Sequence, residues 1–192
     1  MRHSVLLLLA ATLHAQRHEV GLTLGRASSP GLSGVSLEAG NALQANYGRR
    51  LYRGENIEVF GEAHFLTTPL RQVASPNRDL TRDVAAIFVT PGVRVKWRPR
   101  ARWSPYVAAG GGLASFEQSL LRLNGAANPV PRTISRGALD FGAGIDVPLW
   151  RFIGMRAEVR DFYSGLPAYG LSSLRGGQHT VVAGGGFVLR FR

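Results

Sequence analysis

The sequence has no cysteine in its 192 residues. That excludes disulfide frameworks, thiolate catalysis and Cys-based zinc or iron–sulfur sites, and it suits an oxidising compartment where an unpaired thiol is a liability. Lysine is almost missing: Lys96 stands alone, so the net charge of +11 rests on arginine. Long hydrophobic runs are missing beyond residue 13. A polytopic helical membrane protein is therefore excluded, because a spanning helix needs about 20 apolar residues. Polar, low-complexity stretches are also too few for disorder, since 45% of the residues are apolar.

The terminus reads as a targeting segment. Met1-Arg2-His3 is a short positive start, Val5 to Leu13 is an apolar run, and Ala15 precedes the polar Gln16-Arg17-His18. This order predicts a signal peptide over 1–15 and a mature domain over 16–192. A basic chain first suggests nucleic acid, but an exported one has no access to it, and none is expected as a partner.

What remains is strand pattern. Period-2 alternation recurs about eight times: Val20, Leu22, Leu24; Leu43, Ala45, Tyr47; Ile57, Val59, Ala63, Phe65; Ile87, Val89, Val93, Val95, Trp97; Val107, Ala109, Leu113; Leu139, Phe141, Ala143, Ile145, Val147; Ile153, Met155, Ala157, Val159; and Val181, Ala183, Phe187, Leu189, Phe191. Pro91 falls inside one of these runs, and a bulge is expected there. The connections alternate. Long ones are expected at 27–40, 67–82, 118–132 and 164–177, and tight ones around Arg53-Gly54-Glu55, Arg98-Pro99-Arg100 and Leu149-Trp150-Arg151. An antiparallel up-and-down barrel produces this rhythm.

Alternation alone does not say which face is wet. Three features favour a transmembrane barrel over a soluble one. The non-apolar face is rich in glycine (Gly21, Gly48, Gly110, Gly112, Gly142, Gly144, Gly184, Gly186), which makes room in a narrow interior for long charged side chains. All three tryptophans, Trp97, Trp103 and Trp150, lie beside the short turns, as an interfacial girdle requires. Arginines at the same turns (Arg50, Arg53, Arg98, Arg100, Arg102, Arg151) suit anionic headgroups. On this parity Glu58, Glu62, His64, Arg94, Lys96, Asp140, Asp146, Arg156, Glu158 and Arg160 point inward as a structural network. Asp140 is expected opposite Arg160, and Glu19 near Arg190. A buried charge must be paired.

The leading segment, the eight alternating runs, the long and short loops and the final run Gly184-Gly185-Gly186-Phe187-Val188-Leu189-Arg190-Phe191 resemble a small outer-membrane barrel of the OmpA/OmpX type. The resemblance implies an all-β, eight-stranded transmembrane barrel in the bacterial outer membrane. It also implies an assembly signal in the last strand, matched by Gly186, Leu189 and Phe191 and read by the barrel-assembly machinery. The implied surroundings are outer-membrane lipids.

Catalytic chemistry is thin. His64 shares a strand face with Glu62 and Glu58, which reads first as an inward hydrogen-bond network rather than a metal or acid–base site. Gly110-Gly111-Gly112 lacks the Lys-Ser/Thr of a phosphate loop. No cofactor, metal or catalytic residue is expected. The expected role is structural, or adhesive through long loops that meet an extracellular partner. The two rivals are a lipid-modifying membrane enzyme, which needs a nucleophile and a base on the lipid face, and a soluble secreted ligand-binding barrel.

Overall fold

The computed structural model describes residues 17–32, 34–166, 169 and 176–192. The signal peptide expected over 1–15 lies outside the described residues. Eight antiparallel strands form a closed barrel in sequence order: β1 (His18–Leu32), β2 (Val35–Arg53), β3 (Ile57–Ala74), β4 (Asp83–Trp97), β5 (Ser104–Gln118), β6 (Thr133–Pro148), β7 (Ile153–Gly165) and β8 (Gly177–Phe191). Pairing of β1 with β8 runs from His18↔Phe191 to Ser28↔Val181 and shuts the ring.

The alternation fixes two faces. Leu24 is 69% exposed, Leu113 63% and Phe187 59%, while Arg94 is 0%, Asp146 0%, Arg156 2% and Arg160 2% exposed. A soluble barrel has the reverse distribution, so the soluble reading fails on the surface itself.

Several expected details differ. The long connection at 27–40 is mostly strand. β1 and β2 stay paired from Ala27↔Gly40 to Leu32↔Val35, across two register shifts. Their inward side chains Ala27, Val35 and Leu37 are buried. Composition rich in Ser, Pro and Gly concealed a continuing ladder. Likewise β3 runs on to Ala74, leaving only 75–82 as the loop. Pro91 makes no bulge. β4 keeps one register across it, with Ala63↔Pro91 on one side and Val89↔Leu113 and Gly92↔Gly110 on the other. Its ring faces outward, and the ladder towards β5 omits the pairs at Thr90 and Pro91 without slipping. The β6–β7 hairpin centres one residue later than expected, with Pro148↔Gly154 its last pair. Asp140 is therefore opposite Phe162, and Arg160 is opposite Gly142.

Candidate functional site

The interior has two layers. The layer near the short turns is ionic. The Glu19 carboxylate accepts from Arg94 Nη2 at 2.7 Å, Lys96 Nζ at 2.9 Å and Arg190 Nε at 3.0 Å. Asp146 accepts from Arg156 Nε at 2.8 Å and Nη2 at 3.0 Å, and its Oδ2 lies 2.7 Å from Lys96 Nζ. Arg94 Nε reaches Glu62 Oε2 at 2.7 Å and so joins this group to a second one. There Arg160 contacts Asp140 at 2.5 Å, Glu158 at 3.3 Å and Glu62. The two-residue offset between Asp140 and Arg160 is the diagonal of an antiparallel pair, within reach of a long side chain. Five cations (Arg94, Lys96, Arg156, Arg160, Arg190) meet five carboxylates (Glu19, Glu62, Asp140, Asp146, Glu158), so 5 − 5 leaves this layer neutral.

Aromatic and glycine positions shape this layer. Arg94 lies 4.8 Å over the Phe60 ring and Arg156 4.9 Å over Tyr106. Tyr106 donates to Glu158 at 2.7 Å. A Cβ at Gly48 would sit 2.9 Å from Arg94 Nη2, and one at Gly142 would sit 2.5 Å from Arg160 Cγ. These glycines are the space the guanidinium arms occupy.

Glu58 and His64 stand apart from this centre. Glu58 pairs at the short-turn mouth with Arg50 at 3.1 Å and Arg53 at 3.5 Å. The His64 ring lies 3.2 Å from Gln44 Oε1, 3.6 Å from Glu62 Oε1, and tilted against Phe162 at 5.6 Å between ring centres. The strand face that carries Glu58, Glu62 and His64 therefore does not converge on one point.

Towards the long loops the interior turns apolar, which the alternation did not foretell. Ala27, Leu66, Phe88, Ala114, Phe116, Ala138, Phe162 and Val182 are buried in one cluster. Phe88 meets Phe116 edge-on at 5.8 Å and Phe162 at 5.2 Å. Above this layer the loops 75–82 and 119–132 lock together. Arg82 N donates to Leu121 O at 3.0 Å, Leu123 N to Leu80 O at 2.9 Å, Asn124 N to Arg78 O at 2.9 Å, and Thr81 N to Tyr169 O at 3.0 Å. Leu80 and Thr81 are fully buried by this cap.

On the outer wall, Trp97, Trp103 and Trp150 are all exposed at the short-turn end, beside Tyr52 and Phe152. Leu189 and Phe191 are exposed on the same wall, and His18 stacks between Tyr47 and Phe191. Gly186 pairs with Thr23, and a Cβ there would collide with the Leu22 carbonyl oxygen. One outward pair escaped the sequence: His179 Nδ1 and Asp161 Oδ2 lie 2.6 Å apart near the long-loop end, with Tyr163 against the His179 ring. Only the β7–β8 register, with Tyr163↔His179, brings them together.

The chain matches no protein-family model and no curated protein sequence. Its fold matches solved structures. The Neisserial surface protein NspA superposes with a TM-score of 0.61 at 14% identity, over 92% of this chain and 99% of that one. The outer membrane protein OprG of Pseudomonas aeruginosa gives 0.56 at 13%, over 92% and 97%. Ail, the attachment invasion locus protein of Yersinia pestis, solved with the heparin analogue sucrose octasulfate, gives 0.51 at 17%, over 90% and 99%. The fold is that of the small eight-stranded outer-membrane β-barrels. With its own apolar exterior and charged interior, the chain has the surface of a transmembrane barrel.

Proposed function

We propose that this barrel conducts nothing and catalyses nothing, and that its work is done at the exterior by the ordered cap, as a structural or adhesive surface. The observation that supports this reading is a lumen filled twice over, by the ionic layer and by the apolar layer above it. An eight-stranded barrel has little interior beyond its own side chains. In this reading the short turns face the periplasm and the cap faces outward. Outer-membrane lipids surround the apolar wall, and the tryptophans and turn arginines meet the headgroups. The assembly machinery recognises the last strand through Gly186, Leu189 and Phe191. The cap meets an extracellular partner, and nucleic acid plays no part.

The test has two arms. In planar lipid bilayers the purified chain should give no stepwise conductance, and regular porin-sized steps would overturn the sealed lumen. Replacing 119–132 by a short Gly-Ser turn should abolish attachment of expressing cells to the surfaces that the intact protein confers, while the barrel still folds. A cap-less protein that adheres equally well would remove the cap from the function.

A second reading, a lipid-modifying enzyme, is favoured by the Asp161–His179 pair alone. A carboxylate on Nδ1 orients a histidine as a base. Among the described residues, however, His179 hydrogen-bonds to Asp161 and to no nucleophile. His179→Ala should leave the acylation pattern of the membrane lipids unchanged, and a changed pattern would favour the enzyme.

A further inference from the structure

The ionic layer neutralises itself, but one charge lies outside it, among the apolar residues towards the long loops. A register shift between Thr68 and Arg71 turns Arg71 into the barrel, where it is 4% exposed. Its Nη2 donates to Ser29 Oγ at 3.0 Å, and Ser29 shares a hydrogen bond of 3.2 Å with Thr180 Oγ1. Its Nε and Nη1 have no hydrogen-bond partner among the described residues, and neither has the Thr68 hydroxyl. All 12 carboxylate side chains of the sequence lie among the described residues, and none forms an ion pair with Arg71. Arg82 takes Asp83, and Asp79 accepts from Asn124.

The neighbouring phenol supplies no charge either. Tyr169 donates to Gln178, and burial pushes its pKa well above the ordinary phenol value, so it stays neutral. A buried guanidinium without a counter-charge is costly, and an apolar residue here would join the cluster that already holds Leu66, Val73 and Val84 around it. The backbone also makes room for this arm: a Cβ at Gly40 would sit 2.9 Å from both Arg71 Cγ and Cδ.

We propose that Arg71 is the anchor of a binding site for a small oxyanion, a carboxylate, sulfate or phosphate group, at the long-loop end of the lumen, with Thr68 and the Ser29–Thr180 pair completing its shell. Guanidinium donors are matched to oxyanions by charge and by geometry. The site is separate from the cap's outer surface and does not depend on an adhesive role.

The test is calorimetric titration of inorganic phosphate, sulfate and acetate into the full barrel, folded in an uncharged maltoside detergent at low ionic strength. At least one of the three should bind saturably, one per chain. Arg71→Gln should weaken it about tenfold or more, while Arg78→Gln, an exposed arginine at the same end, should not. Gly40→Ala, which keeps the charge and displaces the arm, should also weaken binding, and it carries the test if Arg71→Gln fails to fold. Glucose 6-phosphate in place of phosphate separates a free ion from a group carried on a larger exterior molecule, and binding of either supports the site. Absence of saturable binding for all of them, or equal binding by Arg71→Gln and the parent, overturns the proposal.

Discussion

At the scale of single residues, the interior is set by which charges can be left alone. Arg160 holds Asp140, Glu158 and Glu62 together. Arg160→Ala leaves Asp140 and Glu158 without an ion-pair partner, while Glu62 keeps Arg94, and should cost about 3–5 kcal/mol in denaturant unfolding from detergent. Arg98→Ala, exposed at a short turn, should stay within about 0.5 kcal/mol of the parent. Equal stability of the two variants would mean that the lumen is hydrated. The inward parity of Asp140 and Arg160 was legible from period 2 alone, but their register was not. The turn residues Leu149, Trp150, Arg151 and Phe152 include no Gly or Asn to mark its centre. Arg71 was not legible because a Ser/Pro/Asn-rich stretch read as loop. The apolar layer was hidden for a different reason. Around Ala85-Ala86-Ile87-Phe88-Val89 one face meets lipid and the other meets core, so both are apolar and alternation vanishes.

At the scale of elements, strand length is the informative quantity. β2 has 19 residues and β3 has 18, whereas about 9–11 cross a bilayer. The excess stands beyond the lipid and carries the cap. The absence of cysteine makes the topology directly measurable. Ala126→Cys in the cap should react with a membrane-impermeant maleimide on intact cells, and Arg100→Cys in a short turn should react only after lysis. Labelling in the opposite order would invert the barrel. Trp97, Trp103 and Trp150 should be quenched most strongly by probes at the headgroup depth, and quenching greatest at the bilayer centre would dissolve the girdle. Gly186→Val places a side chain where the Leu22 carbonyl already lies. Folded yield should fall sharply for this variant and change little for Gly137→Val, because a Cβ at Gly137 meets nothing within 4 Å. The sequence marked Gly186 by its place in a terminal pattern, and the β1–β8 contact supplies the steric reason.

At the scale of the whole molecule, the ionic layer is assembled from distant parts of the chain. Glu19 of β1 meets Arg190 of β8 across 171 residues of sequence, and Arg94 of β4 across 75. Arg160 of β7 meets Glu62 of β3 across 98. None of these three pairs belongs to one hairpin: β3–β4 and β6–β7 carry some ion pairs of their own, but Glu19, Lys96 and Arg190 find partners only across strands that no hairpin joins. An open sheet of four or six strands in lipid would turn unpaired Arg, Lys, Glu and Asp towards hydrocarbon, where each is expensive. Every incomplete form is thus disfavoured until the first strand meets the last. The order of events follows. Hairpins form early because their contacts are local, and β3–β4 and β6–β7 bring ion pairs with them, whereas the Glu19–Arg190 pair awaits the closing of the ring. The network that seals the lumen thus also favours the closed ring over any open sheet in the membrane.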